Sequence, residues 1–156
     1  MQLAIRRVPL SHPDVQVMIA RLDAELIDGT PAGGSNFLHI AAEHVDDGAG
    51  GMFVAYVDDQ PRAMGAYRRI DDTSGAAEVK RMWADPELRG HKLGTRILAT
   101  IEAAAIADGF TELRLETGEH LTAAVSLYRS FGFQQCENWG EYVGVPLSYC
   151  MSKRLA

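Results

Sequence analysis

Cysteine is scarce in this chain, basic residues are in the minority and long apolar runs are missing. Two cysteines, Cys136 and Cys150, are too few for a disulfide framework and form no CxxC pair. No apolar run approaches the ~20 residues of a membrane-spanning helix, and residues 1–7 lack the apolar core of a signal peptide. We therefore expect a protein of the cytoplasm that has no membrane partner.

The charge balance also argues against one class of partner. The 15 lysine and arginine residues are outnumbered by 21 aspartate and glutamate residues, which gives a formal net charge of −6. A net negative surface repels phosphate backbones, so we expect no nucleic-acid partner.

The composition that remains is that of an ordinary globular domain. Hydrophobic residues make up 47% of the 156 residues and charged residues 23%, which argues against disorder. No repeat, low-complexity tract or linker divides the sequence. Residues 1–156 are therefore interpreted as a single domain.

Hydrophobic periodicity predicts alternating strands and helices. Strands are expected over 3–8, 52–57, 63–70, 77–84 and 111–117, with two more within 133–155; helices are expected from about residue 12 to Gly29, over 37–45, over 92–108 and over 121–131. Strand 77–84, helix 92–108 and strand 111–117 form a βαβ crossover, which favours parallel pairing of the two strands. The fold class is therefore α/β with a mixed sheet.

The most informative segment joins strand 77–84 to helix 92–108. It reads Arg89-Gly90-His91-Lys92-Leu93-Gly94-Thr95, with two glycines and several basic side chains before a helix N-terminus. Unpaired amides and the helix dipole make such a segment a seat for an anionic diphosphate. A helix start with solvated charges is the alternative, since glycine-rich turns before helices are common.

Two well-known phosphate-binding loops are excluded. A Walker loop requires Gly-Lys-Ser/Thr, but Gly94 is followed directly by Thr95. The GxGxxG fingerprint also fails, because Gly48-Ala49-Gly50-Gly51-Met52 is followed by Phe53. Neither an ATP site nor an NAD site is indicated.

Several spaced motifs resemble those of the GNAT superfamily of acyl-coenzyme-A-dependent N-acetyltransferases. The family motif Arg/Gln-x-x-Gly-x-Gly/Ala corresponds to Arg89-Gly-His-Lys92-Leu-Gly94, and the stretch Ala124-Val-Ser-Leu-Tyr128-Arg-Ser-Phe-Gly-Phe133 resembles its A-x-x-L-Y-x-x-x-G-F signature. The resemblance covers roughly residues 52–133. It implies a twisted mixed sheet of six to seven strands with about four helices, in which strands 77–84 and 111–117 splay apart, and acetyl-CoA as cosubstrate.

One position departs from the family pattern. Lys92 stands where the fourth motif position is usually glycine. Its side chain would either crowd the diphosphate and force a backbone φ that glycine prefers, or turn outward and contact a phosphate.

The resemblance also implies where the cosubstrate binds. Backbone groups of Met82, Trp83 and Ala84 would bond the pantetheine arm, and an amide near Met82 or Trp83 would bond the thioester oxygen. The diphosphate would sit on the segment Arg89, Gly90, His91, Lys92, Leu93, Gly94 and Thr95.

Two residues carry the chemistry that the resemblance implies. Glu78 lies eleven positions before Arg89, the offset of a catalytic glutamate in some family members, and would act as general base. A surface glutamate paired with Lys80 is the alternative. Tyr128 matches the tyrosine that donates a proton to the coenzyme A thiolate; the alternative is an aromatic side chain on the buried face of its helix.

The acceptor is expected to be a small-molecule amine. Phe37, His39, Glu116 and Tyr142 are candidate acceptor-binding residues. The mixture of aromatic and polar groups at Phe37, His39, Trp139, Glu141 and Tyr142 suits a small pocket more than a long protein groove. The alternatives are a protein lysine or N-terminal acetyltransferase and a noncatalytic coenzyme-A-binding sensor domain.

Other features of the sequence leave the acceptor and the assembly open. A carboxylate-bearing acceptor would use Arg68 or Arg81, whereas a polyamine would use the acidic balance. No metal site is expected, since His39, Glu43 and His44 do not follow HExxH. An exposed last strand over 149–153 would allow a homodimer.

Overall fold

The computed structural model describes residues 1–29, 50–70 and 74–155, except for the side chains of 26–29. These ranges form one seven-stranded mixed sheet and three α-helices. The strands are β1 (Leu3–Val8), β2 (Gly50–Val57), β3 (Gln60–Arg69), β4 (Ala76–Ala84), β5 (Glu112–Gly118), β6 (Gln134–Gln135) and β7 (Ser148–Arg154); the helices are α1 (Pro13–Gly29), α2 (Leu93–Ala107) and α3 (Thr122–Ser130). The predicted mixed α/β fold is confirmed. The helix expected over 37–45 lies outside the described residues.

The strand order places one parallel pair near the middle of the sheet. The order is β1-β2-β3-β4-β5-β7-β6, and β4 with β5 is the parallel pair among the described strands. Helix α2 makes the crossover between them, as expected for parallel neighbours.

The two parallel strands separate soon after they meet. Their pairing consists of Ala76 with Glu112, Ala77 with Leu113 and Glu78 with Arg114. The rest of β4 runs on without a partner on its β5 side, while β5 stays paired with β7 on its other side along its whole length. A wedge therefore opens between β4 and β5, as the sequence resemblance implies.

A β-bulge in β4 lies directly after this separation begins. Met64 of β3 opposes Trp83, but Ala66 opposes Lys80, so β4 contains an extra residue opposite Gly65. Arg81 absorbs the bulge with a φ of 57°, in the left-handed region. Because a bulge bends its strand and increases the local twist, it takes β4 further from β5, whose pairing with β4 ends at Glu78.

The sheet is buried on both faces. Helices α2 and α3 cover one face, where the core includes Ala55, Tyr67, Val79, Leu98, Leu113 and Tyr128. Helix α1 covers part of the other, where the core includes Val15, Met18, Val54, Met64 and Trp83. The wedge thus opens between two packed layers and is held in shape by both.

The last strand is not the exposed edge that the sequence predicts over 149–153. Strand β7 lies between β5 and β6, and it pairs with β5 along its whole length. On its other side Met151 and Ser152 pair with β6, and the amide of Cys136 donates to the carbonyl of Cys150 at 2.9 Å. The chain returns over this edge after α3, which adjacency along the sequence does not reveal, so the predicted basis for a homodimer is wrong.

Helix α2 begins on a left-handed residue. Lys92 has φ 58° and ψ 34°, and no side chain caps the helix start. Gly90, two residues earlier, has φ 93°. The backbone therefore keeps the conformation that glycine favours even though lysine occupies the position, and the Lys92 side chain is exposed to solvent.

Gly65 leaves the room that the bulge requires. A Cβ at this position would lie 2.5 Å from Sδ of Met82 and 2.6 Å from Cγ2 of Ile97. We expect Gly65→Ala to lower the free energy of unfolding by about 1–3 kcal/mol, because an added methyl group in a packed core forces its neighbours apart. Urea denaturation measures the change.

Gly118→Ala is the matched control. A Cβ there would meet the imidazole of His120, which is exposed and free to rotate away. We expect this variant to lose less than about 1 kcal/mol. Equal losses in the two variants would contradict the packing argument for Gly65.

A second pair of variants tests the backbone at Lys92. Lys92→Gly and Lys92→Ala both remove the ammonium group, so their difference isolates the left-handed conformation. We expect the glycine variant to be more stable than the alanine variant by about 1 kcal/mol. Equal denaturation midpoints, or a more stable alanine variant, would show that the position is not left-handed in solution.

Candidate active site

The wedge between β4 and β5 is the mouth of a cleft of about 760 Å³. Strand β4 forms one wall, strand β5 and the start of α3 form the other, and the start of α2 closes one end. Most of the residues predicted for the site line it: Glu78, Met82, Trp83, Ala84, Arg89, Gly90, Lys92, Leu93, Gly94, Thr95, Glu116, Tyr128 and Tyr142. His91 is exposed and is not among the lining residues. Phe37 and His39 lie outside the described residues.

The start of α2 supplies backbone donors to one end of the cleft. The amide of Arg96 makes the first helical hydrogen bond, to the carbonyl of Lys92 at 3.1 Å. The amides of Leu93, Gly94 and Thr95 therefore precede the helical ladder. Together with the helix dipole they form a positive end that attracts an anion.

Not every amide of the predicted segment is available. The amide of Arg89 donates to the carbonyl of Pro86 at 3.4 Å, and that of His91 donates to the carbonyl of Leu88 at 3.2 Å. These bonds belong to the short 3₁₀ turn Pro86–Leu88 and the turn after it. Fewer backbone amides are therefore free to bind an anion than the sequence motif predicts.

Buried Asp85 fixes the turn that leads from β4 to α2. Its carboxylate accepts hydrogen bonds from Nη1 of Arg62 at 2.8 Å and from the amide of Glu87 at 3.0 Å. Burial by itself raises the pKa of Asp85, but these hydrogen bonds and the charges of Arg21 and Arg62 outweigh it, so the net pKa is lowered. Asp85 is not among the site residues predicted from the sequence; its position directly before Pro86 is the local signal for such a cap.

Glu78 lies at the base of the wedge and is fully engaged by donors. Nε and Nη2 of Arg68 donate to its Oε1 at 2.9 and 2.7 Å. The hydroxyl of Tyr142 donates to its Oε2 at 2.5 Å. The residue is only 1% exposed, so the predicted alternative of a surface glutamate is wrong, and its main partner is Arg68 rather than Lys80.

The bulge brings two consecutive basic residues to the cleft. Lys80 and Arg81 both line it, and the side chain of each is 8% exposed. Arg81 forms an ion pair with Asp23 of α1 at 2.5 Å, while its Nε is buried without a hydrogen-bond partner among the described residues. The Nζ of Lys80 lies 3.8 Å from Glu78 and 3.9 Å from Glu141.

Glu116 enters the cleft from β5, opposite the bulged part of β4. Its Oε2 accepts a hydrogen bond from the hydroxyl of Ser148 at 2.7 Å. Burial raises the pKa of Glu116, while the Ser148 hydrogen bond and the charge of Lys80 act to lower it. The sequence placed Glu116 in the acceptor site but gave no sign of Ser148, which reaches it through the pairing of β5 with β7.

Tyr128 reaches the cleft from α3. The residue is 8% exposed, and its ring packs edge-on against Phe133, with centroids 5.9 Å apart. Burial raises the pKa of Tyr128, so the hydroxyl keeps its proton at neutral pH. The side chain is thus both part of the core and part of the cleft lining.

A short aromatic turn closes the far end of the cleft. Tyr142 ends the 3₁₀ turn Gly140–Tyr142, and its ring packs edge-on against Trp139 at 5.0 Å. Burial raises the pKa of Tyr142, and the nearby Glu78 raises it further. Its hydroxyl is therefore a fixed donor to Glu78.

Neither a metal cluster nor a membrane helix is found in the part of the chain that the structure describes. Within residues 1–29, 50–70 and 74–155, no three histidine, cysteine, aspartate or glutamate side chains are grouped to hold a metal ion. The helices within those ranges are not long and apolar enough to span a bilayer.

Known proteins are similar to this chain in sequence and in fold. A protein named IAA acetyltransferase from Azospirillum brasilense is 43% identical over 86 residues, which is 55% of this chain and 56% of that protein. A Klebsiella pneumoniae structure described as an acyl-CoA N-acyltransferase superposes with a TM-score of 0.83 at 28% identity, covering 99% of both chains.

A third likeness is one of fold alone. N-acetylglutamate synthase from Neisseria gonorrhoeae, solved with coenzyme A and N-acetyl-glutamate, has a TM-score of 0.73 at 16% identity, over 100% of this chain and 36% of that one.

The sequence model of the acetyltransferase (GNAT) family matches residues 20–133. That range includes the wedge, the α2 start and Tyr128, which are the elements that build the cleft. The chain belongs to the acetyltransferase (GNAT) family.

Proposed function

We propose that this protein transfers the acetyl group of acetyl-CoA to a primary amine of a small molecule, by direct transfer in a ternary complex. The observation that carries the proposal is the wedge between β4 and β5, which opens onto the unpaired amides of α2. A long thiol cosubstrate with a diphosphate at one end matches a cleft that is positive at one end and apolar along its walls.

The cosubstrate is held along the wedge by this chain's own backbone. The amides of Leu93, Gly94 and Thr95 bind the diphosphate, with Arg89 and Lys92 adding charge. The unpaired edge of β4 near Met82 and Ala84 bonds the pantetheine arm, in place of the strand partner that β5 no longer provides. This arrangement directs the thioester toward Glu78 and Tyr128 at the narrow part of the wedge.

The chemistry needs a neutral amine, a stabilised oxyanion and a donor for the leaving thiolate. The amine nitrogen attacks the thioester carbonyl carbon, and a backbone amide near Met82 or Trp83 stabilises the oxygen. As the carbon–sulfur bond breaks, the Tyr128 hydroxyl donates to the thiolate. The resemblance assigns the base role to Glu78, whose two carboxylate oxygens are both bonded to donors.

The acceptor end of the cleft favours a small molecule. Tyr142 and Glu78 line that end, and Trp139 and Arg68 pack behind them. No feature of the described residues favours a groove for an extended peptide, so a protein acceptor has no observation in its support.

Calorimetric titration with acetyl-CoA, against ATP and NAD, tests the cosubstrate class. We expect micromolar binding of acetyl-CoA alone. Thiol release is then measured with a panel of primary amines comprising free amino acids, arylalkylamines such as tyramine, and diamines such as putrescine. Absence of acetyl-CoA binding contradicts the proposal, while binding without turnover of any amine or peptide supports a noncatalytic sensor domain.

Removal of the Tyr128 hydroxyl group tests its role as the general acid. We expect Tyr128→Phe to lower kcat by about 10²-fold or more while leaving the affinity for acetyl-CoA within about threefold, since the hydroxyl acts mainly in the transition state. The steady-state rate of thiol release measures kcat, and calorimetry measures the affinity.

Tyr56→Phe is the matched control for Tyr128→Phe. Tyr56 is an equally buried tyrosine whose hydroxyl donates to Asp14, away from the cleft. We expect it to leave kcat unchanged. A Tyr128→Phe enzyme with the rate of the control would remove Tyr128 from the mechanism.

A further inference from the structure

The acceptor end of the cleft holds an excess of negative charge. Five ionisable side chains meet there: Arg68, Glu78, Lys80, Glu116 and Glu141. Three are acidic and two are basic, and the other basic residue of the β4 wall, Arg81, is paired with Asp23. The cluster therefore carries one uncompensated negative charge when all five are ionised. A positively charged group of the acceptor would balance it.

The ion pairs of the cluster identify the carboxylate that lacks a cationic partner. Glu78 pairs with Arg68 at 2.7 Å and lies 3.8 Å from Lys80, and Glu141 lies 3.9 Å from Lys80. Glu116 has no cation within 4.0 Å among the described residues; its hydrogen-bond partner is the neutral hydroxyl of Ser148. The uncompensated charge therefore resides mainly on Glu116.

Glu78 is a poor base because three donors already bond to its carboxylate and Arg68 balances its charge. Two donors of Arg68 bond to Oε1 and the Tyr142 hydroxyl bonds to Oε2, in a residue that is 1% exposed. Accepting a proton from an amine would neutralise the carboxylate and leave the largely buried Arg68 guanidinium without its counter-charge, which is costly. Glu78 instead fixes the position of Tyr142 and the floor of the cleft.

Glu116 has the accessible oxygen that Glu78 lacks. Its Oε2 accepts from Ser148, whereas Oε1 has no donor among the residues described. It lines the cleft on β5, across the wedge from the bulged part of β4. A substrate ammonium entering the acceptor end would meet this oxygen while the thioester lies along β4.

We propose that Glu116, rather than Glu78, binds the ammonium group of the acceptor and removes its proton. The proposal rests on the acetyl-transfer function proposed above. The proton passes from the ammonium nitrogen to Oε1 of Glu116, and the freed nitrogen lone pair forms the bond to the thioester carbon. The carbon–sulfur bonding pair leaves on sulfur, which receives its proton from Tyr128. The nitrogen loses its second proton as the amide forms, and this proton restores the Tyr128 hydroxyl, while Glu116 releases the first proton to solvent.

The surroundings of Glu116 raise its pKa and so make its carboxylate a stronger base. Burial raises the pKa of Glu116, and the charges of Glu78 on β4 and Glu141 on the aromatic turn raise it further. Lys80 on β4 and Ser148 on β7 act in the opposite direction. Because only the ionised carboxylate accepts a proton, kcat/KM falls as the pH drops through this raised pKa.

The test compares Glu116→Gln and Glu78→Gln in the full-length protein, with the amine of the panel that the wild type acetylates fastest. We expect Glu116→Gln to lower kcat/KM by about 10²–10⁴-fold and to abolish the fall of rate at acidic pH. Glu78→Gln should retain that acidic fall, because the base is still present. Glu112→Gln, a change on the same face of β5 outside the cleft, is the matched control with unchanged rate.

Two further measurements separate a base from a structural carboxylate. Ser148→Ala removes the hydrogen bond that lowers the pKa of Glu116, so the acidic limb of the kcat/KM profile should move to higher pH. In calorimetry on the coenzyme-A-bound protein, Glu116→Gln should weaken amine binding at least tenfold without changing the affinity for coenzyme A.

The outcomes distinguish this inference from the proposed function. If Glu116→Gln keeps the wild-type rate and acidic limb while Glu78→Gln loses both, Glu78 is the base and the inference is wrong. It is also wrong if Glu116→Gln changes neither amine affinity nor the pH profile. Failure of the wild type to bind acetyl-CoA would instead overturn the proposed function itself.

Discussion

The extra residue in β4 is the constraint on which the rest of this structure depends. Gly65 leaves space for Met82 and Ile97, Arg81 accepts a left-handed φ of 57°, and the register between β3 and β4 shifts by one residue. The bulge follows directly on the last residues of β4 that pair with β5, and its bend widens the wedge between the two strands. The strain at Arg81 is offset by the packing of both sheet faces.

The same bulge organises the chemistry of the cleft. It directs both Lys80 and Arg81 into the cleft wall, where strict alternation would send them to opposite faces. Glu78, just before the bulge, is the last residue of β4 that pairs with β5, and it is bonded to Arg68 on the neighbouring strand β3. The unpaired edge beyond Glu78 is then available to a cosubstrate, while Glu116 faces it from the other strand.

Regular periodicity is the part of this fold that could be predicted from the sequence. Strand β1 has the predicted bounds, and α2 (Leu93–Ala107) and β5 (Glu112–Gly118) differ from prediction by one residue at each end. In these segments the local hydrophobic pattern and the tertiary packing agree. The left-handed conformation of Lys92 at the start of α2 also agrees with the prediction that this position requires a φ that glycine prefers.

The contacts that decide the chemistry could not be predicted in this way. The pairing of Arg68 with Glu78 depends on the register of β3 against β4, which the bulge displaces. The hydrogen bond from Ser148 to Glu116 depends on β7 inserting between β5 and β6, an order that sequence adjacency disfavours. The register between strands that are distant in sequence therefore determines that Glu78 is bonded to Arg68, while Glu116 keeps one oxygen without a donor among the described residues.

The most direct test of the central claim is a crystal structure of the protein with coenzyme A. The account predicts that the pantetheine arm lies in the wedge and bonds to the β4 backbone near Met82 and Ala84. It also predicts the diphosphate on the amides of Leu93–Thr95 and the sulfur within hydrogen-bond distance of the Tyr128 hydroxyl. Coenzyme A bound elsewhere, with the wedge closed by renewed pairing of β4 and β5, would contradict the account.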